Sequence, residues 1–240
     1  MVEAFLWGAF GASALLVGAL VAYAMTPSPK VIAVVMALGA GLLIGSVSFE
    51  LIDEALASSD VGTVGAFTLI GALTFTVGDW WLGRRGAGDR KDAEGAQESG
   101  SPLAIVFGSV LDGVPESFVL GLTVLQGSVS VALLVGVLLS NLPEGLSSSS
   151  GLRIAGWPRA RVVRMWALVV VVSAVSAAFG YALLDPASGR TGAAAQGFAA
   201  GTLLAMIADT MLPEAYDVEG AATGSLVAIG FAISLTLSAI

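Results

Sequence analysis

Hydrophobic positions along the chain gather into eight long runs separated by polar breaks: Ala4 to Met25, Val31 to Ala57, Val61 to Leu82, Pro102 to Leu125, Val129 to Ser149, Val162 to Leu184, Ala193 to Tyr216 and Ala222 to Ile240. A helix that crosses a bilayer needs about 20 predominantly apolar residues, and each run comes close to that length. In hydrocarbon every backbone N–H and C=O needs an internal partner, so segments of this kind must be helices. The pattern therefore predicts an all-α integral membrane protein of eight transmembrane helices. Residues 1–83 hold spans one to three, 102–150 spans four and five, and 151–240 spans six to eight. The stretch 84–101 alternates charges with Gly and Ser, has no apolar residue larger than Ala, and reads as a flexible cytosolic loop. Glu3, not Lys or Arg, precedes the first span, which is too long for a cleaved leader and is expected to remain as a helix.

Composition narrows the chemistry. Of 240 residues 56% are hydrophobic and only 12% charged, with a mean hydropathy of +0.91. A soluble domain carries roughly a quarter of its residues as charges, so a soluble enzyme is excluded. There is no Cys and no His, which removes disulfides, thiolate chemistry, Ser-His-Asp catalysis and zinc sites built on imidazole or thiolate. The net charge of −8 gives no reason to expect a nucleic-acid partner.

The basic residues set an orientation. With the N-terminus outside, the inner connections hold Lys30, Arg84, Arg85, Arg90, Lys91, Arg153, Arg159, Arg161 and Arg164, and the outer ones hold only Arg190. That bias is what the positive-inside rule requires. It predicts a multi-pass protein of the cell membrane with both termini outside.

Two echoes run through the sequence. Asp112 to Ser117 (Asp-Gly-Val-Pro-Glu-Ser) and Ser140 to Gly145 (Ser-Asn-Leu-Pro-Glu-Gly) share a Pro-Glu pair in consecutive, oppositely directed spans. A weaker echo joins Glu50 to Ala55 with Thr210 to Ala215 in spans two and seven. A 3+2+3 inverted-repeat bundle would produce both, and many secondary transporters use that layout with the substrate near the midplane.

The echoes carry acids into the membrane, where an ionised carboxylate costs a few kcal/mol even on lenient scales. Asp112 and Glu116 are four apart and share a helix face, as do Asn141 and Glu144 at three apart. At 1.5 Å per residue these positions lie roughly 15 to 22 Å along their spans, at mid-depth. Pro115 and Pro143 each displace the carbonyl four residues back, of Leu111 and Leu139. An oxygen-rich pocket with no basic residue at its depth calls for a divalent cation as counter-charge. The competing reading is that the carboxyls are protonated and serve as polar glue between helices. Elsewhere, Glu50 and Asp53 in the outer part of span two are candidates for gathering cations, and Asp209 and Glu214 in span seven for the way out. Ser148 follows Glu144 by one turn at i+4 and lies on the same route, although the serines 147 to 150 are better read as small residues for close packing. Asp79 beside Trp80 and Trp81 reads as an interfacial belt.

These motifs resemble the signature pair of the ZIP (Zrt/Irt-like) metal transporters, in which spans four and five each carry a His-Asn-x-Pro-Glu-Gly type sequence. Here span five reads Ser140-Asn141-Leu142-Pro143-Glu144-Gly145 and span four Asp112-Gly113-Val114-Pro115-Glu116-Ser117, with Ser and Asp where His is usual. Met211-Leu212-Pro213-Glu214-Ala215 and Ser48-Phe49-Glu50-Leu51-Ile52 also resemble that family. The resemblance covers all eight spans in order, and the loop lacks the His-rich tract often found there. It implies a divalent metal transporter of the zinc, iron or manganese class, moving its substrate (Zn²⁺, Fe²⁺ or Mn²⁺) towards the cytoplasm. By analogy Asp112, Glu116, Asn141 and Glu144 are the metal ligands, with Glu50, Asp53, Ser140, Ser148, Asp209 and Glu214 along the pathway. Carboxylate and carbonyl oxygens in place of imidazole suit Mg, Ca or Mn, and zinc also accepts carboxylates. The alternative is a membrane metal or proton sensor, or a structural subunit, that transports nothing. A hydrolase using paired acids leaves the Pro-Glu duplication without a reason, and no enzyme activity is expected. A bundle of this size is compatible with a homodimer in the bilayer.

Overall fold

In the computed structural model, which describes residues 1–25, 28–87, 102–125, 127, 129–184 and 189–239, every apolar run is a helix. They are α1 (Val2–Ala24), α2 (Pro29–Ser58), α3 (Val61–Leu82), α4 (Pro102–Leu125), α5 (Val131–Ile154), α6 (Arg159–Leu184), α7 (Arg190–Glu219) and α8 (Ala222–Leu237). Seven are long and apolar enough to cross a membrane, and α8, of 16 residues, is apolar but shorter than the expected span. The chain is thus a multi-pass helical membrane protein. Two boundaries differ from expectation. Helix α5 runs on through its serines to Ile154 rather than stopping at Ser149. Helix α3 continues as a wide π turn, Gly83–Ala87, with the Arg84 guanidinium 4.1 Å above the Trp80 ring and that of Arg85 4.4 Å above Trp81. The remainder of the expected loop, 88–101, lies outside the described residues, as does Ile240.

The polarity of the bundle is the reverse of a soluble one. Leu69, Leu73, Leu168, Val171, Val175 and Ile233 are exposed, while Asp112, Glu116, Asn141, Ser148 and Gln196 are buried. Apolar side chains turned outwards meet hydrocarbon at no cost, so helix contacts must come from close packing and polar pairing. A large core is built from α2, α3, α4, α5 and α7 around Leu43, Phe75, Leu120, Leu133, Leu203 and Met206. A second joins α1, α5 and α6 around Leu15, Leu152 and Trp166.

The helices pair in parallel through glycines. Gly41 of α2 faces the Val227 carbonyl of α8 and Gly230 of α8 faces the Leu38 carbonyl of α2; a Cβ at either would overlap that oxygen. The same reciprocal contact joins α3 and α7, where Gly71 meets Phe198 and Gly201 meets Thr68. Gly18 and Gly145 do likewise between α1 and α5, and Gly121 and Gly180 between α4 and α6.

Helices α2 and α7 share an interruption that periodicity did not foretell. After 18 residues α2 widens into a π turn, Val47–Ile52, before closing as Asp53–Ser58. After 17 residues α7 widens at Ile207–Met211 before closing as Leu212–Glu219. Such turns are rare and concentrate at functional sites. Each of these two carries one of the candidate acids, Glu50 or Asp209.

At the start of α3, Asp60 caps the helix. Its Oδ1 accepts the Thr63 N–H (3.0 Å) and its Oδ2 the Thr63 hydroxyl (2.8 Å), while Arg190 donates Nε and Nη2 to the Thr63 hydroxyl oxygen (3.2 and 3.1 Å), linking α7 to α3. The Thr63 hydrogen bonds, with a smaller contribution from the Arg190 charge, hold the Asp60 carboxyl below its ordinary 3.8.

Two outcomes follow. Gly71→Ala should lower Tm in detergent, at a cost of roughly 1–3 kcal/mol for overpacking, whereas Gly65→Ala, whose Cβ would meet open space, should leave Tm unchanged or raise it through better helix propensity. Because the folded state favours ionised Asp60, its contribution is complete above its unfolded value and fades as pH falls through the lower folded one. A melting series below about pH 4 should therefore show a smaller acid-induced drop in Tm for Asp60→Asn than for the wild type.

Candidate functional site

The two Pro-Glu motifs lie on α4 and α5, and both helices run unbroken through Pro115 and Pro143. Leu139, whose carbonyl Pro143 displaces, is met from the side by α2: a Cβ on Gly39 would stand 3.1 Å from that oxygen. This carbonyl is therefore set against α2.

All four expected ligands are buried: Asp112, Glu116 and Asn141 to 2% exposure and Glu144 to 6%. Glu116 and Ser140 bring the helices together, the Ser140 hydroxyl donating to Glu116 Oε1 at 2.7 Å. Ser140 thus sits on the carboxylate of the facing helix, at the centre of the site. Asn141 turns the other way, its Nδ2 donating to the Gly11 carbonyl of α1 at 3.3 Å. Among the described residues no three Asp or Glu side chains converge as a metal-holding group. The carboxylates share two helices and a buried setting without forming one tight cluster.

The pathway residues divide by depth. Glu50 is half-buried, and its Oε1 accepts the Ser238 hydroxyl of α8 at 3.1 Å; the Ser130 hydroxyl, at the N-cap of α5, also lies within reach. Asp53, one turn on, is exposed, as is Asp209, whose Oδ2 accepts the Thr76 hydroxyl of α3 at 2.9 Å. Glu214 is half-buried at the end of α7. Ser148 is fully buried, and the neighbouring Ser149 accepts the indole N–H of the buried Trp166 at 2.8 Å, so the serine run packs α5 against α6. The hydroxyls of Ser109, Ser148 and Ser150 have no hydrogen-bond partner among the described residues. Ser130, Ser238, Thr76 and Gly11 escaped the sequence reading because their contacts lie up to 188 residues away in the chain, and no local spacing marks them.

Electrostatically the site is one-signed. Every Lys and Arg whose side chain is described stays near a helix end, and none is buried. An oxygen set of carboxylates, an amide and a hydroxyl, shielded from water and without a nearby ammonium or guanidinium, is suited to a hard cation and to protons. Set against protein-family models and against the curated proteins, the chain matches none.

Ser140→Ala removes a hydrogen bond to a buried carboxylate, a loss of about 1.5–3 kcal/mol. Thermal unfolding in detergent should show the drop, and Ser13→Ala, which removes only a local bond to the Phe10 carbonyl, should not.

Proposed function

We propose that the chain is a divalent-cation permease of the ZIP type, which passes its substrate through the carboxylates of α4 and α5 towards the cytoplasm. The observation that carries this reading is the burial of Asp112, Glu116 and Glu144 on two facing, proline-bearing helices inside a membrane bundle. Several carboxylates in hydrocarbon need either protons or a cation to balance them, and Glu116 already receives a hydroxyl from the opposite helix.

Three further observations support transport over storage. The acids stand at successive depths, Glu50 near one face, Asp112, Glu116 and Glu144 in the middle and Asp209 near the other, as a route across requires. By the positive-inside rule the face bearing Glu50 is outside. The packing also repeats when α1 is exchanged for α6, α2 for α7, α3 for α8 and α4 for α5. Glycine pairs join α2 to α8 and α7 to α3, then α1 to α5 and α6 to α4, and the π turns occupy matching places in α2 and α7. These matches support an inverted 3+2+3 repeat, the layout that provides alternating access around a central site. Each π turn then presents its acid to a hydroxyl of the paired helix, Glu50 to Ser238 and Asp209 to Thr76.

Oxygen donors without imidazole fit Mn²⁺ best within the zinc, iron and manganese class. A sensor that binds and does not transport is favoured by one observation, the absence of a closed three-carboxylate cluster among the described residues. In a permease that openness is what permits release, since a fully caged ion leaves slowly.

Uptake of Mn²⁺ and Zn²⁺ into proteoliposomes decides between the readings. The wild type should accumulate metal, and Glu116→Gln with Glu144→Gln should reduce the initial rate by at least about tenfold, the effect of about 1.4 kcal/mol. Unchanged uptake in the double variant removes the pocket from the route, and saturable binding without flux assigns the chain as a sensor.

A further inference from the structure

Beside the acidic centre, on the other side of α4, a groove of about 1040 Å³ separates the α3–α7 pair from the α4–α6 pair. Its walls are Phe67, Phe118, Phe179, Leu183, Ala195 and Phe198, and its floor reaches Pro115. Asp60, Thr63 and Arg190 line the same groove, and their positions at the first residues of α3 and α7 put them at its mouth, level with the membrane surface. A space of this size is at the upper end of ordinary ligand pockets, roughly 300–1,000 Å³. Water does not fill apolar cavities of this kind, because it finds no polar partners there. Left empty, the four phenylalanines would lose their contacts on one side. In a bilayer the available filler is hydrocarbon.

The mouth selects what the hydrocarbon carries. Asp60 and Arg190 present one negative and one positive group, linked through the Thr63 hydroxyl. Arg190 is exposed, and its guanidinium has five N–H donors, of which those on Nε and Nη2 point at Thr63, leaving Nη1 for a second acceptor. A phosphate on Arg190 would set an adjacent ammonium beside Asp60.

We propose that this groove is a phospholipid site, which takes one acyl chain between the helix pairs and holds a zwitterionic ethanolamine phosphate headgroup with Arg190 on the phosphate and Asp60 on the ammonium. As an ordinary aspartate Asp60 is anionic at neutral pH and so available to the ammonium. The inference stands apart from the cation reading, since none of the carboxylates of α4 and α5 lines the groove.

Native mass spectrometry of the full chain, extracted from bilayers of phosphatidylethanolamine and phosphatidylglycerol with identical chains, tests it. The wild type should retain one phosphatidylethanolamine in preference to phosphatidylglycerol. Arg190→Gln should retain about tenfold less, as expected for one charge-assisted contact, and Asp60→Asn should shift the preference towards the anionic lipid. Ala195→Trp should abolish retention by filling the groove, with Ala66→Phe as a milder filler should the first variant fail to elute as a folded protein. A wild type that keeps no phospholipid, or keeps both headgroups equally, overturns the proposal. So does a folded filled-groove variant that retains as much lipid as the wild type.

Discussion

The organisation of this bundle turns on the cost of burying oxygen-bearing side chains away from water and from every Lys and Arg whose side chain is described. Asp112, Glu116, Asn141 and Glu144 are buried on the two central helices, in a setting where a lone carboxylate is unfavourable by several kcal/mol. The structure meets that cost with hydroxyls and carbonyls drawn from neighbouring helices. Ser140 serves Glu116 and the Gly11 carbonyl receives Asn141. Such a network is fully useful only when every member is satisfied, and that requirement fixes how α1, α4 and α5 meet.

The surrounding helices are arranged to permit this. Because hydrocarbon outside is as apolar as the side chains within, nothing squeezes the helices together as water would. Contact depends on glycines at which backbone meets backbone, in four parallel pairs. Close approach leaves little space within these pairs, while a groove opens between α3–α7 and α4–α6. The transport reading proposed above would require such pairs to move as units.

The π turns connect local chemistry to that mechanics. A helix that widens for one turn carries an extra residue, so its side chains beyond the turn are rotated relative to those before it. In α2 and α7 the widened turn holds an acid, and in both the acid accepts a hydroxyl from the helix packed in parallel beside it. The two turns occupy matching places, 18 and 17 residues into their helices.

Sequence by itself determined what depends on composition and on spacing along one helix. Eight apolar runs specified eight helices, since hydrocarbon allows no other structure for them, and the i, i+3 and i, i+4 spacing of acids about Pro115 and Pro143 marked the residues that prove to be buried. It also identified the small-residue content of the packing. Only tertiary structure decided which helices pair, that Ser140 lies on Glu116 while Asn141 turns to α1, and that the serines after Glu144 pack against Trp166. The π turns, the Thr76 and Ser238 partners and the groove were likewise invisible in the linear pattern. Each depends on contacts between residues more than a hundred positions apart, or on a backbone register that hydropathy averages away, and neither leaves a periodic trace in the chain.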